Sequence, residues 1–250
     1  MRRFYLSPKT PMTDQVEIRG AEARHMAQVL RLRPGQRVEF FDGQGTVLTA
    51  VLRATDKQLV VADIIERRRA EPACQAPLTL AQCLLKGKKM DLLVQKATEL
   101  GVETFLPLVS RYCDNRGERN SQERWQRIMI EACKQCHRAT PMAIAPLLSL
   151  QQADFSAFAH RFVAWEGEQS APLPTSFIDH PGPICLLLGP EGGLQVEEID
   201  SLTQRQFASF SLGPRILRGE TAALAATAIV QYLSGGLQPP LASCSPQPLL

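Results

Sequence analysis

Two glycine-rich segments close to the C-terminus hold the residue types from which a ligand cradle is made. The first is Leu186-Leu187-Leu188-Gly189-Pro190-Glu191-Gly192-Gly193-Leu194, and the second is Ser211-Leu212-Gly213-Pro214-Arg215-Ile216-Leu217-Arg218-Gly219-Glu220-Thr221-Ala222. Glycine lets a backbone approach a ligand closely and accepts dihedrals that side chains forbid. Neither segment has the G-x-G-x-x-G of a dinucleotide fingerprint or the Gly-Lys-Ser/Thr of a P-loop. Neither contains lysine. The pair therefore points away from triphosphates and dinucleotides and toward a neutral or cationic cofactor.

A second constellation, Cys133-Lys134-Gln135-Cys136-His137, has the C-x-x-C-H form of a haem attachment site. It ends a strong helical pattern in which Trp125, Ile128, Met129, Ala132, Cys133 and Cys136 share one apolar face. No second Cys/His cluster completes a zinc site. These cysteines read as buried structural thiols, and no metal is expected.

The elements that must position the glycine segments follow from hydrophobic periodicity. Each segment follows a short apolar run, Ile184–Leu188 or Ala208–Leu212, and leads into a helical pattern, Val196–Gln206 or Thr221–Leu233. Two loops at the carboxyl ends of two strands of one α/β sheet can form the floor and wall of a single pocket. Upstream, Leu78–Leu85, Val102–Val109 and Phe162–Trp165 read as further strands. Met90–Leu100, Ser121–Arg138 and Leu150–Ala159 read as helices. Alternating strands and helices predict a largely parallel α/β sheet.

The first seventy residues differ. Strands at Arg37–Phe41, Thr46–Leu52 and Gln58–Ile65, with a turn at Asp42–Gly45, suggest a small β-barrel. A helix over Gly20–Leu30 would turn His25, Val29 and Leu30 inward, and the charged run Glu66–Pro72 reads as a linker. The expected organisation is a β-barrel over 1–72, an α/β domain over 73–235 and a flexible tail over 236–250.

Residues 1–140 carry 24 Lys and Arg against 16 Asp and Glu, a net of +8, whereas residues 141–250 carry 4 against 9, a net of −5. A basic first half suits a polyanionic partner. The basic N-terminus has no apolar run behind it, and charges or prolines interrupt every apolar stretch. A cytoplasmic protein with no membrane partner is expected.

The two glycine segments together resemble the signature of the SPOUT methyltransferases. More closely, they resemble the RsmE family of bacterial 16S ribosomal RNA (uracil-N3)-methyltransferases. Lys86-Gly87-Lys88-Lys89-Met90 with Gln95-Lys96-Ala97-Thr98-Glu99-Leu100-Gly101-Val102 is similar to that family's strand–helix segment. Arg124-Trp125 and Glu131–Arg138 are similar to its next helix, and His25–Arg31 and Phe41-Asp42-Gly43 to its N-terminal domain. His137 departs from the family, where glycine or another small residue is usual.

The resemblance implies a PUA-like, RNA-binding β-barrel, then an α/β domain with a C-terminal trefoil knot. It also implies a homodimer and S-adenosylmethionine as methyl donor. The implied substrate is a uridine N3 in 16S RNA, free or in the assembled small ribosomal subunit. By the same resemblance Leu188, Gly189, Gly193, Leu212, Gly213, Leu217 and Thr221 hold the cofactor. Leu187 and Ile216 are further candidates for an apolar wall against a purine. Uridine N3 carries a proton, so the reaction needs a base or a stabiliser of the uridylate anion. Arg218 and Arg138 are candidates for stabiliser, and Glu99 or Glu191 for proton acceptor. Arg2, Arg3, Arg31, Lys86, Lys88, Lys89, Lys96 and Arg111 are candidates for phosphate contacts. Two other readings compete: a non-catalytic ribosome-assembly factor that binds RNA, and a tRNA ribose 2′-O-methyltransferase of the same fold.

Overall fold

The computed structural model describes residues 1–7, 10–11, 13–70, 76–113 and 121–238. The presumed junction at 72/73 and most of the 236–250 tail lie outside the described residues. Strands β1 (Arg2–Tyr5), β2 (Gln15–Arg19), β3 (Arg37–Phe41), β4 (Thr46–Thr55) and β5 (Leu59–Arg69) form a five-stranded sheet in the order β1-β3-β4-β5-β2. β1 and β3 are parallel, and the other pairs are antiparallel. Helix α1 (Gly20–Arg24) runs into one π-helical turn, His25–Val29. Phe4, Val16, Ile18, Met26, Val38, Phe40, Leu48 and Val60 fill the core of this lobe.

Two expectations fail here. The charged run is not a linker as far as Arg69: Arg67, Arg68 and Arg69 pair with Leu48, Val47 and Thr46 and extend β5. Their side chains face solvent, so the ladder can absorb charge without burying it. Val29 is 69% exposed rather than inward, because the wider π turn brings Met26 to the core instead.

The second sheet holds β6 (Leu78–Cys83), β7 (Thr104–Val109), β8 (Ala143–Ile144), β9 (Leu148–Ser149), β10 (His160–Ala164), β11 (Ile184–Leu188) and β12 (Ala208–Phe210). Its order is β12-β10-β11-β6-β7-β8, with β9 also paired to β7, and every pairing is parallel. Helices α2 (Lys89–Glu99), α3 (Ser121–Cys136), α4 (Ser176–Asp179), α5 (Val196–Gln204) and α6 (Gly219–Leu233) cover it. Leu93 and Val94 of α2, Trp125 and Met129 of α3, and Ala223, Ala226 and Val230 of α6 pack with Leu80, Phe105, Leu186 and Leu188 in one cluster. Ile199 and Leu202 of α5 pack with Ala81, Leu108, Val163 and Leu187 in another. Central strands buried on both faces read as continuous apolar runs, as β11 does. Leu187 is therefore core and not pocket wall.

The expected helix over Leu150–Ala159 is instead a series of turns. Arg205 donates to the carbonyls of Leu150 and Ala153, taking the place of helical amides, while its guanidinium lies over the Phe155 ring.

Arg3 joins the two lobes. It pairs with Glu39 at 2.7 Å, donates to the Cys133 carbonyl of α3 at 3.3 Å, and stacks on Phe41 with its guanidinium carbon 4.6 Å from the ring centre. Its side chain is 1% exposed. Lys134 of α3 bridges to Glu22 of α1 at 3.0 Å.

Candidate active site

The carboxyl ends of β10, β11 and β12 open into one cavity of about 850 Å³. Binding crevices form there in open α/β sheets because loops diverge beyond the strand ends. Both glycine segments contribute, with Leu188, Gly189, Pro190, Glu191 and Gly193 from the first and Ser211 through Gly219 from the second. A third wall follows β10: Ala164, Trp165, Glu166, Glu168 and Gln169, with Lys89 and Ala222 completing the lining.

Glycine is required at two of these positions for different reasons. Gly193 has φ +74°, and a Cβ there would collide with the Glu166 carboxylate. A Cβ on Gly219 would stand 3.0 Å from Leu85 Cδ2, so the start of α6 packs tightly on the strand layer.

Side chains fix the loops. Gln82, fully buried at the end of β6, donates to the carbonyls of Gly189 at 3.1 Å and Cys83 at 2.8 Å. Glu168 accepts from the amides of Ser170 and Ala171 and from the Ser209 hydroxyl of β12. The two amides, with the hydroxyl behind them, hold its carboxyl below the ordinary carboxylate value. Glu191 accepts from the Lys86 amide at 3.0 Å and from Lys89 Nζ at 2.9 Å, and Lys89 also lies 3.3 Å from Glu220 of α6. Burial works against ionisation of Glu191, but the Lys89 ammonium and the Lys86 amide outweigh it and its pKa falls. The Glu191 hydrogen bond is the main cause of the raised Lys89 value. At α5, Glu198 returns to the Gln195 amide at 3.1 Å and also accepts from the Arg111 amide at 3.0 Å.

Of the residues expected to hold a cofactor, Leu188, Gly189, Gly193, Leu212, Gly213 and Leu217 all line the cavity. Thr221 does not; it is exposed in the first turn of α6. Ile216 lines the cavity yet is 90% exposed, an apolar side chain standing open at the mouth.

Arg218 caps α6, is exposed, and lines the cavity. Arg138 is elsewhere: it donates to the carbonyls of Val102 at 2.6 Å, Thr140 at 2.7 Å and Thr98 at 3.3 Å. Burial lowers its pKa, and its Nε and Nη1 hold the end of α2 and the turn before β7 to the segment after α3. Glu99 is likewise outside the cavity lining and is bound to Lys96 of the same helix at 2.9 Å.

Among the basic candidates, Arg3 is corrected to a buried tie, whereas Lys89 sits in a loop clamp and Lys96 in an intrahelical pair, each with part of its side chain exposed. Arg2, Arg31, Lys86, Lys88 and Arg111 are exposed. Cys133 is buried, and burial pushes its thiol up to about 11; Cys136 is half-buried.

The β10 wall escaped sequence reasoning. The signal was present in the strand itself, since residues just past a buried parallel strand line the crevice.

The family model described as RNA methyltransferase domain matches residues 72–231, and the one described as RNA methyltransferase PUA domain matches residues 18–65. Ribosomal RNA small subunit methyltransferase E of Bacillus subtilis is 28% identical over 247 residues, covering 93% of this chain and 96% of its own. The protein of that name from Synechocystis sp. is 31% identical over 242 residues, covering 92% of this chain and 77% of its own. Among solved structures, Ribosomal RNA small subunit methyltransferase E from Neisseria gonorrhoeae bound to S-adenosyl methionine superposes with a TM-score of 0.82 at 34% identity, covering 93% of this chain and 98% of that one. The putative methyltransferase Lpg2936 from Legionella pneumophila in complex with the bound cofactor SAM gives 0.81 at 27% identity, covering 92% and 96%.

Proposed function

The chain belongs to the RNA methyltransferase family that includes ribosomal RNA small subunit methyltransferase E, and on that premise we propose that it methylates N3 of a uridine in 16S ribosomal RNA with S-adenosylmethionine as donor. The observation that carries this reading is the cavity at three adjacent strand ends, built by two glycine loops and a carboxylate-bearing third wall. The residues fit such a cofactor. Leu188, Leu212 and Leu217 offer apolar surface for a purine, and Gly193, without a Cβ, lets the Glu166 carboxylate lie against its backbone. Lys89, the lining lysine, is tied to Glu191 and Glu220.

When bound, S-adenosylmethionine supplies a methyl group activated by its sulfonium. The chain's task is to align the nucleophile with that carbon and exclude water. Arg218 serves the uracil from the rim, donating to a ring oxygen and favouring the N3 anion in the transition state. Leu217 and Ile216 shield the same approach. Arg2, Arg31, Lys86, Lys88 and Arg111 meet the RNA phosphates.

The same reading assigns the α/β lobe to the SPOUT class with a trefoil knot. Support comes from the path of the chain: after edge strand β12 it crosses back, and α6 packs on α2, β11 and β6. The division at 72/73, the RNA-binding role of the first lobe and the tail from 236 are part of the proposal. A homodimer is favoured by Ile229 and Tyr232 of α6, which stand 44% and 60% exposed. No helix among the described residues is long and apolar enough to cross a membrane, and the enzyme is assigned to the cytoplasm with its substrate.

The test is incubation of undermethylated small ribosomal subunits with labelled donor, followed by mass-spectrometric mapping. N3-methyluridine in 16S RNA is expected. A ribose-methylated product in tRNA, or cofactor binding without incorporation, overturns the reading.

A further inference from the structure

Glu166 is the lining carboxylate that the loop architecture leaves uncommitted. Its neighbour Glu168 is consumed by two amides and a hydroxyl, and Glu191 by an amide and Lys89. Glu166 has no hydrogen bond or ion pair with any of the described residues. It is nevertheless placed closely: its Oε1 occupies the space beside Gly193 where a Cβ would stand, and Gly193 itself is buried in the pocket. The backbone holds this position from both sides. Trp165 N–H donates to the Phe210 carbonyl and Glu168 N–H to the Trp165 carbonyl, at 3.2 and 3.1 Å, and the Trp165 ring closes over Gly167.

We infer that Glu166 is the acceptor for the ribose diol of the cofactor, an inference that rests on the pocket's taking S-adenosylmethionine. An ionised carboxylate is acceptor-only, with two oxygens that suit two vicinal hydroxyls. A carboxylate beyond the carboxyl end of a strand meets ribose hydroxyls in the same way in other open α/β sheets. Glu166 comes from β10 while the purine wall comes from Leu188 of β11 and Leu212 and Leu217 beyond β12. The sugar is thereby read from a different side than the base, and the pocket rejects ligands that keep adenine but lack the diol.

Calorimetry on the full chain tests this with the demethylated product, S-adenosylhomocysteine, and its 2′-deoxy analogue. Wild-type protein is expected to prefer the diol ligand, and Glu166→Gln to weaken S-adenosylhomocysteine about tenfold and the deoxy analogue, which keeps only the 3′-hydroxyl, by clearly less. Glu166→Asp should recover part of the preference. Equal weakening of both ligands, or no weakening of either, overturns the assignment. So does loss of S-adenosylmethionine affinity alone, which would mean that the carboxylate reads the sulfonium charge. If wild-type protein binds neither S-adenosylmethionine nor S-adenosylhomocysteine, the function proposed above fails and takes this assignment with it.

Discussion

Arg218 and Arg138 are the same residue type in opposite surroundings. Arg138 spends its donors on three backbone carbonyls, whereas Arg218 stands exposed on the cavity rim. Arg218→Ala should lower kcat about 10²-fold, the usual loss for one donor to a developing anion, with S-adenosylhomocysteine affinity retained in calorimetry. Parallel loss of both would mean that Arg218 binds cofactor instead. His137 explains its own departure from the family pattern. It has φ +62° immediately after α3, the left-handed position at which helices commonly end in glycine. His137→Gly should stabilise the protein by about 0.5–1 kcal/mol in urea denaturation. An unchanged midpoint would mean that the imidazole, 4.0 Å from Glu39, compensates its own strain.

Among the elements, the clamp of Lys89, Glu191 and Glu220 ties the start of α2 to the first glycine loop and to the start of α6. The folded carboxyl of Glu191 lies below its unfolded value, so its contribution is present above about pH 4.3 and lost as pH falls through the lower folded value. Lys89 is raised, so its contribution is full below about pH 10.4 and lost as pH rises through the higher folded value. Lys89→Met should therefore lower Tm at neutral pH, and the gap from wild type should close in acid. A gap that persists once acid has protonated Glu191 in the folded protein would assign the effect to packing. These elements were unequally legible. Strand β11 matches its apolar run residue for residue, because a strand buried on both faces needs no alternation. The two-residue strands β8 and β9 carry no periodicity to read. The turns at 150–159 misled because Leu150 and Ala153 are buried three residues apart while a distant arginine, not a helical ladder, satisfies their carbonyls. In the site, the glycine loops announced themselves by composition. Glu166 did not, since it is an exposed carboxylate like many others and only the fold brings it to the cavity.

For the molecule as a whole, the joint between lobes combines Phe41 and Val47 packed into the second core with a hydrogen bond from Arg3, whose charge partner Glu39 lies on the neighbouring strand of its own lobe. The Arg3–Glu39 ion pair has Cys133 of the second lobe as an acceptor for Arg3 and Arg68 at 3.1 Å from Glu39, while Arg3 Nη2 is buried without a hydrogen-bond partner among the described residues. Glu39→Gln leaves the Arg3 guanidinium buried without its counter-charge and should cost about 3 kcal/mol, read from urea unfolding of the full chain. A loss below about 0.5 kcal/mol would show that the joint is wetter than its geometry. Finally, the order in which the chain is laid down bears on when the pocket can exist. Strands β6, β7, β10 and β11 are made before Ser211–Gly219 and α6, yet that late stretch supplies one whole wall and then returns to α2 near the middle of the sheet. A nascent chain halted after β12 would thus carry most of its scaffold and no closed binding crevice, and competence would arrive with that one late stretch rather than accumulate along the scaffold.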